Sequence, residues 1–204
     1  PHSTSLITSM KKYLSYLIVF LLITSCNESL KSKTNKNDTD IENFSMEEMP
    51  NKNTKYDTIY TVNSTDNIKL IYELKTKLEK ADFTFEERKN RGGFSYNNCE
   101  ENSVKLIRGN GIREYFARSK KPEKGTKDFY PDFIILVYEF PTNAIAKQNY
   151  EILNKALNSG GRFCNGKSPE KLVFNRNEVF YLGTRAEMFR TYTEKYGEII
   201  KNYR

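Results

Sequence analysis

The chain has 204 residues, with 33 Lys and Arg against 26 Asp and Glu, a single His and three Cys. Once a leader and a polar segment are set aside, that length leaves one domain of about 150 residues, near the common domain size, so a single core is expected. Residues 3–204 hold no histidine, which removes the usual general base near neutral pH and the commonest metal ligand. With His2 lying upstream of the leader read below, hydrolase sites built on Ser–His or Cys–His and His-ligated zinc sites are excluded from the mature chain that this leader implies, and neither a metal nor a cofactor is expected.

From Met10 to Cys26 two lysines, Lys11 and Lys12, precede an apolar run from Tyr13 to Thr24, a small residue and a cysteine. This is the layout of a secretory signal peptide. The run is too short for a hydrocarbon core of about 30 Å, which needs about 20 apolar helical residues. Met10 then reads as the initiator, and residues 1–9 as upstream sequence. Leu22, Ile23, Thr24, Ser25 and Cys26 resemble the lipobox of bacterial lipoproteins, with an aliphatic residue three before the cysteine and a small one just before it. The resemblance covers the leader alone. It implies diacylglycerol on the Cys26 thiol, cleavage after Ser25 and N-acylation, hence a membrane partner held through lipid. With Asn rather than Asp at position 27, it also implies sorting to the periplasmic face of the outer membrane. An ordinary cleaved signal, or a buried apolar segment with a structural cysteine, is the alternative.

Residues 26–55 are dominated by Asn, Lys, Ser, Thr, Asp and Glu, too poor in apolar side chains to offset the entropy of ordering. They read as a tether with a reach of about 30 Å, and residues 56–204 as the globular domain. The domain keeps 26 basic against 20 acidic residues, +6. In an exported protein such a charge suits an envelope protein or an anionic envelope polymer, whereas nucleic acid is not expected. Arg88, Lys89 and Arg91, with Lys120, Lys121 and Lys124, are the candidate basic docking patch; plain solubility charge is the alternative. With Cys26 lipidated, Cys99 and Cys164 remain as an even pair in an oxidising compartment, where a disulfide is expected. Closing that loop restricts the unfolded chain by roughly 4 kcal/mol.

In the domain, Thr58–Val62 reads as a first strand. A helix over 67–81 follows, with Ser64, Thr65 and Asp66 as cap chemistry and Ile68, Ile71, Tyr72, Leu74 and Leu78 on its buried side. Gly109, Asn110 and Gly111 sit between strands 104–108 and 112–118 and predict a hairpin. Phe133 to Tyr138 is the most apolar run of the domain and should be a central strand. Pro141 and Thr142 open a helix over 143–158, striped by Ala146, Tyr150, Leu153 and Leu157 and ended at Gly160 and Gly161. A hairpin around Asn175–Asn177 joins 172–174 to 179–182, and Thr184 with Glu187 predicts a capping box for a last helix. Helix, paired glycines, aromatic, cysteine and hairpin occur from Asn67 and again from Asn143, a faint duplication. The expected class is α+β: one antiparallel sheet of about five to six strands with three helices.

Without histidine, a pair of carboxylates could still cleave glycosides. The candidates are Glu86, Glu87, Asp128, Asp132 and Glu139. Asp132 and Glu139 bracket one strand and lie roughly 23 Å apart, and Glu86 and Glu87 read as solvated neighbours of Arg88 and Lys89. No catalytic residue is therefore assigned. The paired glycines match no phosphate-binding motif. The expectation is an envelope-tethered binding or interaction module, with a carboxylate-dependent cell-wall or glycan hydrolase as the alternative.

Overall fold

The computed structural model of the protein describes residues 49–64, 68–89, 93–160, 164–166 and 168–204, all within one compact unit. The signal segment, Cys26, most of the tether, the caps Thr65 and Asp66, Arg91 and Gly161 lie outside the described residues.

The fold is α+β. Strands β1 (Lys55–Thr61), β3 (Phe94–Asn98) and β4 (Ser103–Gly109) form one sheet in the order β1-β4-β3. Strands β2 (Phe83–Arg88), β5 (Ile112–Ser119), β6 (Asp132–Glu139), β7 (Glu170–Asn175) and β8 (Glu178–Gly183) form a second, in the order β2-β5-β6-β8-β7. Pairing is antiparallel except between β1 and β4. Three α-helices accompany them: α1 (Ile68–Lys80), α2 (Asn143–Leu157) and α3 (Arg190–Lys201). None of the described helices is long and apolar enough to cross a membrane.

β6 takes the middle of the larger sheet, and both its faces are covered. On one side Leu70, Leu74 and Leu78 of α1 and Tyr196 and Ile200 of α3 pack on Phe133, Ile135, Val137 and Phe180. On the other, Ala146, Leu153 and Ala156 of α2, with Ile59, Tyr96 and Ile107 of the smaller sheet, pack on Leu136, Tyr138 and Val179. Three layers result, and each fully buried leucine contributes about 2 kcal/mol. The leucines of α1 recur at steps of four and take the buried stripe. Ile68 and Tyr72, read as buried from the sequence, instead stand 61 % and 71 % exposed.

The α+β class, the three helices and the mainly antiparallel pairing are as expected, and finer expectations are corrected. The described residues hold eight strands in two sheets, β2 and β3 forming in stretches whose charged and polar residues hide a strand alternation. β4 and β5 do not form a hairpin: β4 pairs with β1 and β3, β5 with β2 and β6. The glycines between them serve a crossing. A Cβ on Gly109 would lie 2.2 Å from the Thr61 carbonyl oxygen, and one on Gly111 2.3 Å from that of Val62. The end of β1 occupies the space a side chain would need, and the chain passes from one sheet to the other beneath it. The duplication is not expressed either, since β7 and β8 after Cys164 pair with each other and β4 and β5 after Cys99 do not. The capping box is absent. Thr184 Oγ1 donates to the Asp132 carbonyl at 2.6 Å, Glu187 pairs with Arg190, and a 3₁₀ turn, Glu187–Phe189, leads into α3. Thr142 does cap α2, accepting from the Ile145 N–H.

Cys99 follows β3 and Cys164 follows α2. Their sulfurs are bonded, with Cα atoms 5.9 Å apart. Ser159 Oγ accepts from the Cys99 N–H at 2.9 Å and donates to the Ala156 carbonyl at 2.7 Å, so the end of α2 is tied to the smaller sheet by polar bonds as well. Gly160, at φ +60, passes so close that a Cβ would meet that of Cys99 at 2.8 Å.

Candidate functional site

The face of the larger sheet that α1 and α3 cover is apolar along most of its length and charged at one end. Side chains alternate along a strand, so Arg113 shares its face with Tyr115 and Ala117, Glu139 with Val137 and Ile135, and Glu178 with Phe180 and Leu182. The registers Arg113↔Val137 and Glu139↔Glu178 bring the three together. Arg113 Nη2 donates to Glu139 Oε1 at 2.7 Å and also to Glu178 Oε1. The Glu139 and Glu178 side chains are 1 % and 0 % exposed and that of Arg113 is 20 %. Carboxylates so far from water are tolerated only when paired and hydrogen-bonded. Burial works against the Arg113 charge, but the Tyr115 oxygen and the two carboxylates outweigh it and hold the guanidinium above its ordinary range. Burial pushes the Tyr115 phenol up, partly offset by Arg113. Glu139 Oε2 also accepts from the Ser64 N–H at 3.3 Å, which fastens the approach to α1 onto β6.

Above this triad lies a cleft of about 450 Å³ between α1 and the sheet. Ile68, Ile71 and Tyr72 form its helical wall, Phe85 and Tyr115 its opposite wall, and Arg113 and Glu139 its polar floor. Phe85 and Tyr115 are stacked, with ring centroids 5.1 Å apart and planes at 8°. Lys75 and Glu87 stand at the rim. Apolar walls around a few oriented polar groups are the usual construction of a ligand recess.

As acid–base chemistry the floor is poorly disposed. Two carboxylates that accept from one nitrogen have oxygens within about 5 Å of each other, close enough for a retaining pair. Glu178, however, is wholly buried and out of a substrate's reach. Glu87 lines the same cleft, but the registers Glu87↔Tyr115 and Arg113↔Val137 place it two strands and four residues from Glu139. That is about 16 Å between Cα atoms on a regular sheet, and the Glu139 carboxylate is already held by Arg113 Nη2 and the Ser64 N–H rather than turned toward Glu87. Asp132 sits at the far end of β6, paired with Arg185 at 2.8 Å. Glu86 and Asp128 are exposed outside the cleft. Among the described residues no group of three or more His, Cys, Asp or Glu converges as a metal site.

The basic segments fall at opposite ends of β2. Arg88 pairs in register with Glu114, and Phe83 with Ser119, beside Lys120. Five residues of strand separate the two ends, about 17 Å. Arg88 lies over the Phe116 ring at 3.8 Å. Lys121 pairs with Asp82 at 2.5 Å, and that hydrogen bond holds the Asp82 carboxyl below its ordinary range. Lys89, Lys120 and Lys124 are exposed.

No family model, curated protein or solved structure matches this chain. What the domain can do therefore rests on its own geometry. The cleft floor was hidden in the sequence because Arg113 sits beside Glu114 and Glu178 beside the turn residues Arg176 and Asn177, where charges read as ordinary strand ends. Their phase was the available signal: in each of three strands a charged residue continues the alternation of the core-facing positions.

Proposed function

We propose that this protein is a non-catalytic binding module of the cell envelope, anchored by lipid on Cys26 with its domain at the periplasmic face of the outer membrane. The anchor rests on the lipobox resemblance. The binding role rests on one observation: both buried carboxylates of the cleft floor are engaged by the Arg113 guanidinium, while Ile68 and Tyr72 above them stay open to solvent. Such a floor orients a ligand without presenting a free proton donor and a free base, and an apolar wall left uncovered gains by accepting a ligand. The glycan hydrolase reading needs two accessible carboxylates at catalytic spacing, and the buried Glu178 and distant Glu87 weigh against it.

The test is a photo-crosslinking residue at position 72 in the full anchored chain, with the same residue at position 124 for comparison. The expected result is a discrete adduct in envelope preparations from position 72 only, lost in Ile68→Asp. Release of reducing ends from cell-wall glycan by the purified protein, abolished in Glu139→Gln, would overturn the binding reading. The anchor is tested separately: Cys26→Ser should move the protein from the membrane to the soluble fraction, and unchanged membrane association would refute it.

A further inference from the structure

β1 has two edges, and only one is paired. The register Lys55↔Ser103 and the bond from the Lys55 N–H to the Asn102 carbonyl, at 3.1 Å, direct residues 55, 57, 59 and 61 toward β4. Successive residues of a strand point their N–H and C=O groups to opposite sides, so Tyr56, Thr58 and Tyr60 direct theirs to the other edge. Among the described residues no strand pairs there. Such an edge is a template for another chain unless something blocks it; β1 contains no proline, and its inner-face charges, Lys55 and Asp57, both precede Thr58.

The surroundings suit an added strand on both faces. On the outer face Tyr56 and Tyr60 are 58 % and 71 % exposed, two residues either side of Thr58. Under the inner face a wedge of about 400 Å³ separates the smaller sheet from α2, lined by Ile59, Lys105, Asn149 and Ile152. A strand laid along β1 would send alternate side chains into this wedge and beside the tyrosines, the mode in which main-chain bonds give affinity and alternate pockets give selectivity.

Charge identifies the occupant. Lys105 and Lys155 line the wedge against Asp57 and Glu101; Lys55 shares their face at the start of β1, and Arg108, in register with Tyr60, lies on the outer face beside the tyrosines. Both carboxylates are already engaged: Lys105 Nζ lies 2.7 Å from Asp57 and 3.3 Å from Glu101, and Lys155 Nζ lies 2.7 Å from Glu101. Among the described residues Lys55 and Arg108, one on each face of the sheet, make no ion pair; with Glu100 acting on Lys155, one cation is left in excess. We propose that the free edge of β1 is a strand-addition site that takes an extended acidic peptide from a second protein. The site lies on a different sheet from the α1 cleft and does not depend on the reading of that cleft.

The test uses the full chain and a blocked octapeptide in which glutamate alternates with valine, with hydrogen exchange read at the amides of Tyr56, Thr58 and Tyr60. Saturating peptide should slow all three at least tenfold. A lysine–valine octapeptide, or the glutamate peptide N-methylated along one edge, should leave them unchanged. Thr58→Pro removes an N–H that points away from β4, so it should abolish binding without moving Tm; if that variant does not fold, the N-methylated peptide decides. Ile68→Asp in the α1 cleft should leave the effect intact. No slowing, or equal slowing by the lysine peptide, overturns the proposal. So does protection already present in the free chain. If independent of protein concentration, that protection assigns the edge to the chain's own acidic stretch, Asp38 to Glu48; if it grows with concentration, to a second copy.

Discussion

Replacing Arg113 with alanine isolates the energetics of the cleft floor. It leaves Glu139 and Glu178, at 1 % and 0 % side-chain exposure, without the nitrogen they share. Removing one partner of a buried ion pair costs about 3–5 kcal/mol. Arg113 is itself 20 % exposed, and water entering the space it vacates moves the expectation to the lower end, about 3 kcal/mol. For a domain of this size that corresponds to a fall in Tm of about 6–12 °C. Urea denaturation followed by fluorescence should show a lower midpoint with an unchanged slope, the mark of a pure stability change. The companion variant replaces the whole triad, Arg113→Met with Glu139→Leu and Glu178→Leu. Removing all three charges together is often neutral or stabilising, so this variant should recover most of the loss. A loss below about 1 kcal/mol for Arg113→Ala, the range of exposed pairs, would show the carboxylates to be solvated and refute the closed floor.

Changing Cys99 and Cys164 together to serine opens a link between residues 65 apart in sequence. Chain entropy predicts a loss of about 4 kcal/mol, and equal Tm for the variant and the oxidised wild type would contradict it. Alanine at Gly109 or Gly111 must displace Thr61 or Val62, a Cβ lying 2.2 or 2.3 Å from a carbonyl oxygen; each should cost about 1–3 kcal/mol, Gly109 more because its φ of +124 strains any side chain, and a wild-type denaturation midpoint would show the crossing to be loose. Burial holds the Glu170 carboxyl above its ordinary range, partly offset by the hydrogen bond from Tyr181. A raised folded-state value means that the stability from Glu170 is complete below the unfolded value, about 4.3, and is lost as pH rises through the folded one. Glu170→Gln should therefore gain on the wild type between pH 4 and pH 7 in a Tm series, and parallel curves would refute the assignment.

The parts of the fold legible in the sequence are those whose local pattern and burial agree. β6 is a short run of branched and aromatic residues, and both its faces are covered. α2 carries its own cap, and the turn at Arg176 and Asn177 its own backbone geometry, with Arg176 at φ 53. The rest depended on partners far along the chain. Gly109-Asn110-Gly111 carries the local mark of a hairpin, yet its glycines answer to Thr61 and Val62 about fifty residues earlier. β2 reads as a charged patch until Phe83, Phe85 and Glu87 are seen to alternate with Thr84, Glu86 and Arg88, with Phe83 in the core. Arg113, Glu139 and Glu178 each looked like an ordinary strand-end charge, and only the register of three strands makes them one group.

The parallel ladder between β1 and β4 has a kinetic consequence. Its register joins Lys55 to Ser103, so 47 residues, with a helix and two other strands among them, must be gathered before its first rung can form. Pairings so distant along the chain are slow, because the entropy of closing the loop is lost before any contact repays it. β1 should thus be the latecomer of the smaller sheet, leaving one side of β4 bare in a newly made chain. In that interval a chaperone would find its easiest grip.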